Sequence, residues 1–113
     1  MRKFITSLAI AASACLSAPA AEAGPMLTSW YGSYFHGRTT ANGETYNMYG
    51  NTAAHKTLPF NTKLLVCYEG CAVVRVNDRG PYIGTRELDL SYGAAEQIGL
   101  LWPGVAYTMV TPI

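Results

Sequence analysis

From residue 24 onward, short apolar runs alternate with glycine, asparagine and proline punctuation, a pattern of brief strands and tight turns. Residues 27–35 are rich in aromatic and β-forming side chains and predict a first strand. The stretch 36–51 carries the turn dipeptides Asn42-Gly43 and Gly50-Asn51 and predicts a loop. Residues 52–55 suit a short strand, stopped near Leu58-Pro59. Residues 63–68 and 71–77 predict a β-hairpin, with Val74 and Val76 on an apolar face and Val73, Arg75 and Asn77 on a mixed one. Another short strand is expected over 86–90. The helix signal is confined to 92–98: Ser91 caps it, Ala94, Ala95 and Ile98 share one side, and Gly99 ends it. Residues 105–110 predict a last strand. A mainly β fold of six strands with one or two short helices suits a small barrel, whose closure leaves no exposed edge. Periodicity alone does not separate one small-barrel topology from another.

The N-terminus reads differently. Arg2 and Lys3 precede an apolar, Ala- and Ser-rich stretch, and Ala21-Glu22-Ala23 is a small-x-small cleavage signature. Residues 1–23 are therefore expected to be an export signal and residues 24–113 one domain, since 113 less 23 leaves 90 residues. The apolar stretch is too short to span a membrane. Cys15 follows Ser13 and Ala14, yet Ala12 stands where a lipoprotein pattern places Leu. The expectation is a soluble exported protein, periplasmic or extracellular, with lipidation at Cys15 the lesser reading.

In residues 24–113, Lys and Arg number six (8 less Arg2 and Lys3), and Asp and Glu also six (7 less Glu22). No basic stripe exists to neutralise phosphates, so nucleic acid is not an expected partner. A largely neutral polysaccharide suits such a surface, and the domain is expected to be a monomer. Cys67 and Cys71 flank Tyr68-Glu69-Gly70 at the hairpin turn and predict a structural disulfide in an oxidising compartment. Their spacing is not that of a thioredoxin-like redox pair. His36 and His55 lack the paired spacing of a metal site, so neither metal nor cofactor is expected.

Several strings are unusual, and they occur in a fixed order. Ser29-Trp30-Tyr31-Gly32 and Phe35-His36-Gly37 come first, then Thr40-Ala41-Asn42-Gly43-Glu44 and the run from Thr52 through His55 to Phe60. Asn77-Asp78-Arg79-Gly80-Pro81 and Leu88-Asp89-Leu90-Ser91 follow. Together they resemble the rare lipoprotein A (RlpA-like) family over nearly all of residues 29–110. The resemblance implies a double-psi β-barrel. It also implies a lytic transglycosylase acting on peptidoglycan glycan strands. Such an enzyme cleaves between N-acetylmuramic acid and N-acetylglucosamine, with the sugar's own 6-hydroxyl replacing water and a 1,6-anhydro end as product. Related expansin-like and barwin-like barrels bind polysaccharide without cleaving it, so a wall-binding or wall-loosening module is the second reading.

An intramolecular attack needs less apparatus than hydrolysis: one group protonates the departing oxygen and then accepts the 6-hydroxyl proton. By resemblance Asp78 is the first candidate for that group, with Glu44 facing the same cleft and His55 orienting a carboxylate or a sugar hydroxyl. Which carboxylate is the acid stays open. On the residues alone, Asp78 also suits an Asx turn into Gly80-Pro81, whose two residues shape the strand end, and His55 a ring satisfied by backbone. Asp89, just before the helix, is assigned to the fold as an acceptor of backbone N–H groups at the helix start. Trp30 and Tyr31 are candidate sugar-stacking residues, one pointing inward and one outward, and His36, Arg38 and Arg79 candidate groove residues.

Overall fold

The computed structural model describes residues 22–113. The expected signal segment up to Ala21, with Cys15, lies outside the described residues. Six strands form a closed barrel: β1 (Gly24–Tyr31), β2 (Thr52–His55), β3 (Lys63–Cys67), β4 (Cys71–Asp78), β5 (Leu88–Ser91) and β6 (Ala106–Pro112). Their order around the barrel is β1-β5-β2-β4-β3-β6, with β1·β5 and β2·β4 parallel and the other neighbours antiparallel. This closed, crossed arrangement is the expected double-psi β-barrel. Helix α1 (Tyr92–Ile98) follows β5, and one 3-10 turn occupies Ser33–Phe35.

The helix forms where its signals stand. Ser91 is extended, its Oγ accepts from Ala94 N, and Gly99 ends the helix in the left-handed region at φ +81°. The first strand ends earlier than expected, because the chain turns at Gly32 and the aromatic run continues as the 3-10 turn. The last strand runs two residues further than expected, through Pro112, because Leu64 and Leu65 of β3 supply partners for Pro112 and Thr111.

The barrel interior is filled by Leu64, Val66, Val74, Val76, Leu88, Leu90, Val110 and the helix residues Ala94, Ala95 and Ile98, all essentially inaccessible. At the other end of the β3–β4 hairpin, Cys67 and Cys71 face each other in register and are joined by a disulfide.

Registers across one wall place the site. Trp30, Leu90, Ala53 and Val76 form one row through β1, β5, β2 and β4, packed on the core. The next row is Ser29, Asp89, Ala54 and Asp78, on the opposite face. A β-bulge lies between the two rows on β4: Ala53 pairs with Val76, but Ala54 pairs with Asp78. Asn77 is the extra residue and is buried, so the simple alternation expected through Asn77 fails there. Without the bulge, Ala54 would face Asn77, and Asp78 would leave the row.

Candidate active site

The loop between β1 and β2 folds back over the outer face of this wall. It is pinned by an isolated bridge between Thr39 and Thr45 and by Thr40 N donating to Glu44 O at 2.7 Å. Gly43, at φ +94°, makes the turn that brings Glu44 back. Asn42 N donates to Asn77 O at 3.3 Å, and Ala41 N donates to Asp78 Oδ1 at 2.8 Å. Asp78 is thus held from both sides, because its own neighbour Arg79 N donates to the same oxygen at 2.9 Å. The turn onward runs through Gly80 at φ +119° and a cis Gly80–Pro81 bond. Asp78 bonds the next amide in this turn, not the amide two residues on that an Asx turn uses.

Glu44 is tied to the same loop and to β4. Its carboxylate accepts a two-pronged contact from Arg75, at 2.7 and 2.9 Å, and further bonds from Asn42 Nδ2 and Asn77 Nδ2 at 2.9 and 3.0 Å. Hydrogen bonds from Arg75, Asn77 and Asn42 hold it down to about 2. These contacts favour its ionised form. Arg75, Asn42 and Asn77 carry no catalytic signature in the sequence; only the bulge and the returning loop bring them together.

His55 ends β2, beside the partner of Asp78. Its Nδ1 accepts from Thr57 N and Leu58 N, both at 3.1 Å. The proton of the neutral ring therefore sits on Nε2, which remains a donor. Burial, then the positive charges of Lys56 and Arg79, lower its pKa and favour that neutral ring. The ring is thus tied to backbone, through two N–H donors.

Asp89 departs most from its assignment. The helix start is served by Ser91 Oγ, while Asp89 Oδ1 accepts from Ser29 Oγ at 2.9 Å across β1·β5. Burial pushes this carboxyl up to about 6 against the lowering effects of Ser29 and Arg86, with the Asp78 charge adding to the rise. Only the methyl of Ala54 stands between Asp89 and Asp78 in the row.

Aromatic rings border the two aspartates. Tyr31 stacks on buried Tyr46 at 4.5 Å, and Tyr46 donates its hydroxyl to Tyr31 O at 2.7 Å. The Tyr31 hydroxyl is buried and faces the Asp78 carboxylate without closing a well-formed hydrogen bond. Burial first, then the charge of Asp78, raises its pKa, so the phenol keeps its proton. Burial likewise pushes Tyr46 up to about 12. Trp30 packs toward the core and edge-on to Tyr92 at 5.7 Å.

The remaining groove candidates are spread around the rim. His36 Nδ1 accepts from Met48 N at 3.1 Å and its ring meets Tyr49. Arg38 lies over the exposed ring of Tyr34, and Arg79 over Phe60 while donating to His55 O. Exposed Tyr34, Tyr49 and Tyr82 add aromatic surface that the motif strings did not single out. No enclosed cavity is present among the described residues. Among the described residues no cluster of three or more His, Cys, Asp or Glu side chains is gathered as metal ligands.

Comparison with known proteins fits this geometry. A family model described as lytic transglycolase matches residues 25–110. The chain belongs to the lytic transglycolase family. Among its relatives in that description are the endolytic peptidoglycan transglycosylases RlpA of Campylobacter jejuni, 52% identical over 88 residues, and of Vibrio cholerae, 50% identical over 88 residues. Each alignment covers 75% of this chain but only 32% and 34% of those proteins. The chain thus spans about a third of the curated relatives it matches. In structure it is similar to the Streptomyces papain inhibitor (SPI), with a TM-score of 0.67 and 20% identity, over 86% of this chain and 99% of that one. That likeness is one of fold. The site above lies wholly within the matched residues.

Proposed function

We propose that this lytic transglycolase domain cleaves peptidoglycan glycan strands between N-acetylmuramic acid and N-acetylglucosamine, leaving a 1,6-anhydro end. The observation that carries the reading is the row Ser29–Asp89–Ala54–Asp78, which sets two carboxyl groups on one aromatic-bordered face beneath the returning loop. The sugar's 6-hydroxyl is already positioned by its own ring, so proximity supplies the nucleophile, and the protein supplies a proton carrier and a fixed negative charge. Glu44, neutralised by Arg75, holds the loop instead of giving a proton. The aspartates therefore carry the chemistry, and His55 offers Nε2–H to a sugar oxygen. We read Tyr31, Tyr34 and Arg38 on one side, and Arg79 and Tyr82 on the other, as the sugar-contacting rim.

Residues 1–23 act, in this reading, as the export signal, and 24–113 work as a monomer on the cell wall. The test is incubation of the purified protein with sacculi and analysis of the released fragments. Anhydro-ended muropeptides are the expected product. Retention on the glycan with no such ends would replace this reading with a binding module.

A further inference from the structure

We propose that Asp89, and not the motif residue Asp78, is the catalytic residue that gives and retakes the proton, while Asp78 is the fixed anion beside it. The inference rests on the transglycosylase reading and names the group that performs its central step.

The two aspartates sit in the same row but in unlike surroundings. Asp78 Oδ1 is committed to two backbone N–H donors, which stabilise negative charge. Asp89 receives one hydroxyl, from Ser29 to Oδ1, and its Oδ2 has no partner among the described residues. Oδ2 is therefore the atom on which a proton can reside and from which it can leave. The groups around it are Ser29 and Tyr31 from β1, Tyr46 from the covering loop, Asp78 from β4, and Arg86 ahead of its own strand. Of these, only Arg86 carries a positive charge that favours the ionised form, and burial outweighs it. The resulting value of about 6 suits a group that must be an acid in one half-reaction and a base in the next. Two carboxyl groups in unlike surroundings can divide acid and charge-stabilising roles in this way.

The step balances without water or cofactor. The Asp89 proton passes to the glycosidic oxygen as the bond from that oxygen to C1 of N-acetylmuramic acid breaks. The oxygen leaves as the 4-hydroxyl of N-acetylglucosamine. Positive charge developing at C1 faces the Asp78 side chain, whose Oδ1 is held by the Ala41 and Arg79 N–H groups. The bond from O6 to C1 then forms, and the O6 proton returns to Asp89. Tyr31, protonated throughout, completes a hydrogen bond to Asp78 when the sugar arrives.

The experiment measures release of anhydro ends from sacculi across pH 4–9 for the wild type, Asp89→Asn, Asp89→Glu and Asp78→Asn, together with a ¹³C carboxyl titration of the wild type. Asp89→Asn keeps the shape and the Ser29 contact. Its release is expected to fall at least about 100-fold at every pH. Asp89→Glu is expected to retain measurable release, with the pH limb displaced. The Asp89 carboxyl is expected to titrate near 6. Wild-type activity together with Asp89→Asn release within about tenfold would overturn the assignment while leaving the transglycosylase reading intact. An Asp89 carboxyl titrating in the ordinary range near 4 would also overturn it. Absence of anhydro ends from folded wild type would remove the parent reading and this one with it.

Discussion

Asp89 and Glu44 are both acids in a wall-facing site, yet their partners drive them in opposite directions, and stability must follow. Asp89 binds its proton more tightly folded than unfolded, so its contribution is fully present below about pH 4 and is lost as pH rises through about 6. Replacing it by Asn removes that loss. Between pH 4 and 7, the stability of Asp89→Asn relative to wild type is expected to rise by up to about 3 kcal/mol, as measured by urea unfolding. A pH-independent difference would contradict the burial argument. Glu44 has the reverse sign: its contribution is present above about 4.5 and is lost as pH falls toward 2. Its side chain is 37% exposed, so solvent screening limits the Glu44–Arg75 coupling to no more than about 1 kcal/mol. A double-mutant cycle with Glu44→Gln and Arg75→Ala should show that coupling at pH 7 and lose it near pH 2.

Elements, not single residues, bring these groups together. Ser91 Oγ accepts from Ala94 N and from Thr52 N and donates to Gly50 O at 2.6 Å, so one hydroxyl joins helix, β2 and the covering loop. Ser91→Ala is expected to cost about 1–3 kcal/mol in unfolding experiments, more than an ordinary cap, because buried partners lose their bonds. A loss below about 0.5 kcal/mol would contradict that role. The helix itself was legible, since Ser91, the apolar spacing and Gly99 are local signals. The hairpin and its disulfide were legible for the same reason. The bulge at Asn77 was not, because Val74 to Asn77 reads as plain alternation and only pairing with β2 reveals the extra residue. The partner expected for Asp89 differs on similar grounds: proximity in sequence to a helix start suggested capping, whereas its partner Ser29 lies sixty residues away on a parallel strand. Parallel pairing is a property of the whole topology, and no local pattern announces it.

At the scale of the molecule, the disulfide and the proposed catalytic row occupy opposite ends of β4. Cys71 opens that strand and Asp78 closes it, with the disulfide at one end and the aspartate row at the other. Closing so short a loop is worth about 2 kcal/mol in the chain-entropy model. The double variant Cys67→Ala, Cys71→Ala should lose roughly that much stability by urea unfolding yet keep its sacculus activity within about twofold. A large loss of activity at a temperature where the variant stays folded would couple the two ends in a way the barrel does not explain. The proposed function requires glycan to lie across the β1–β5–β2–β4 wall with its scissile oxygen between the two aspartates. A structure of the protein with a glycan-strand tetrasaccharide tests this most directly. The predicted result places the glycosidic oxygen within hydrogen-bond reach, about 2.6–3.2 Å, of Asp89 Oδ2, with C1 facing Asp78. A sugar chain bound over Tyr107 and Met109 on the outside of β6, with the aspartate row empty, would contradict it.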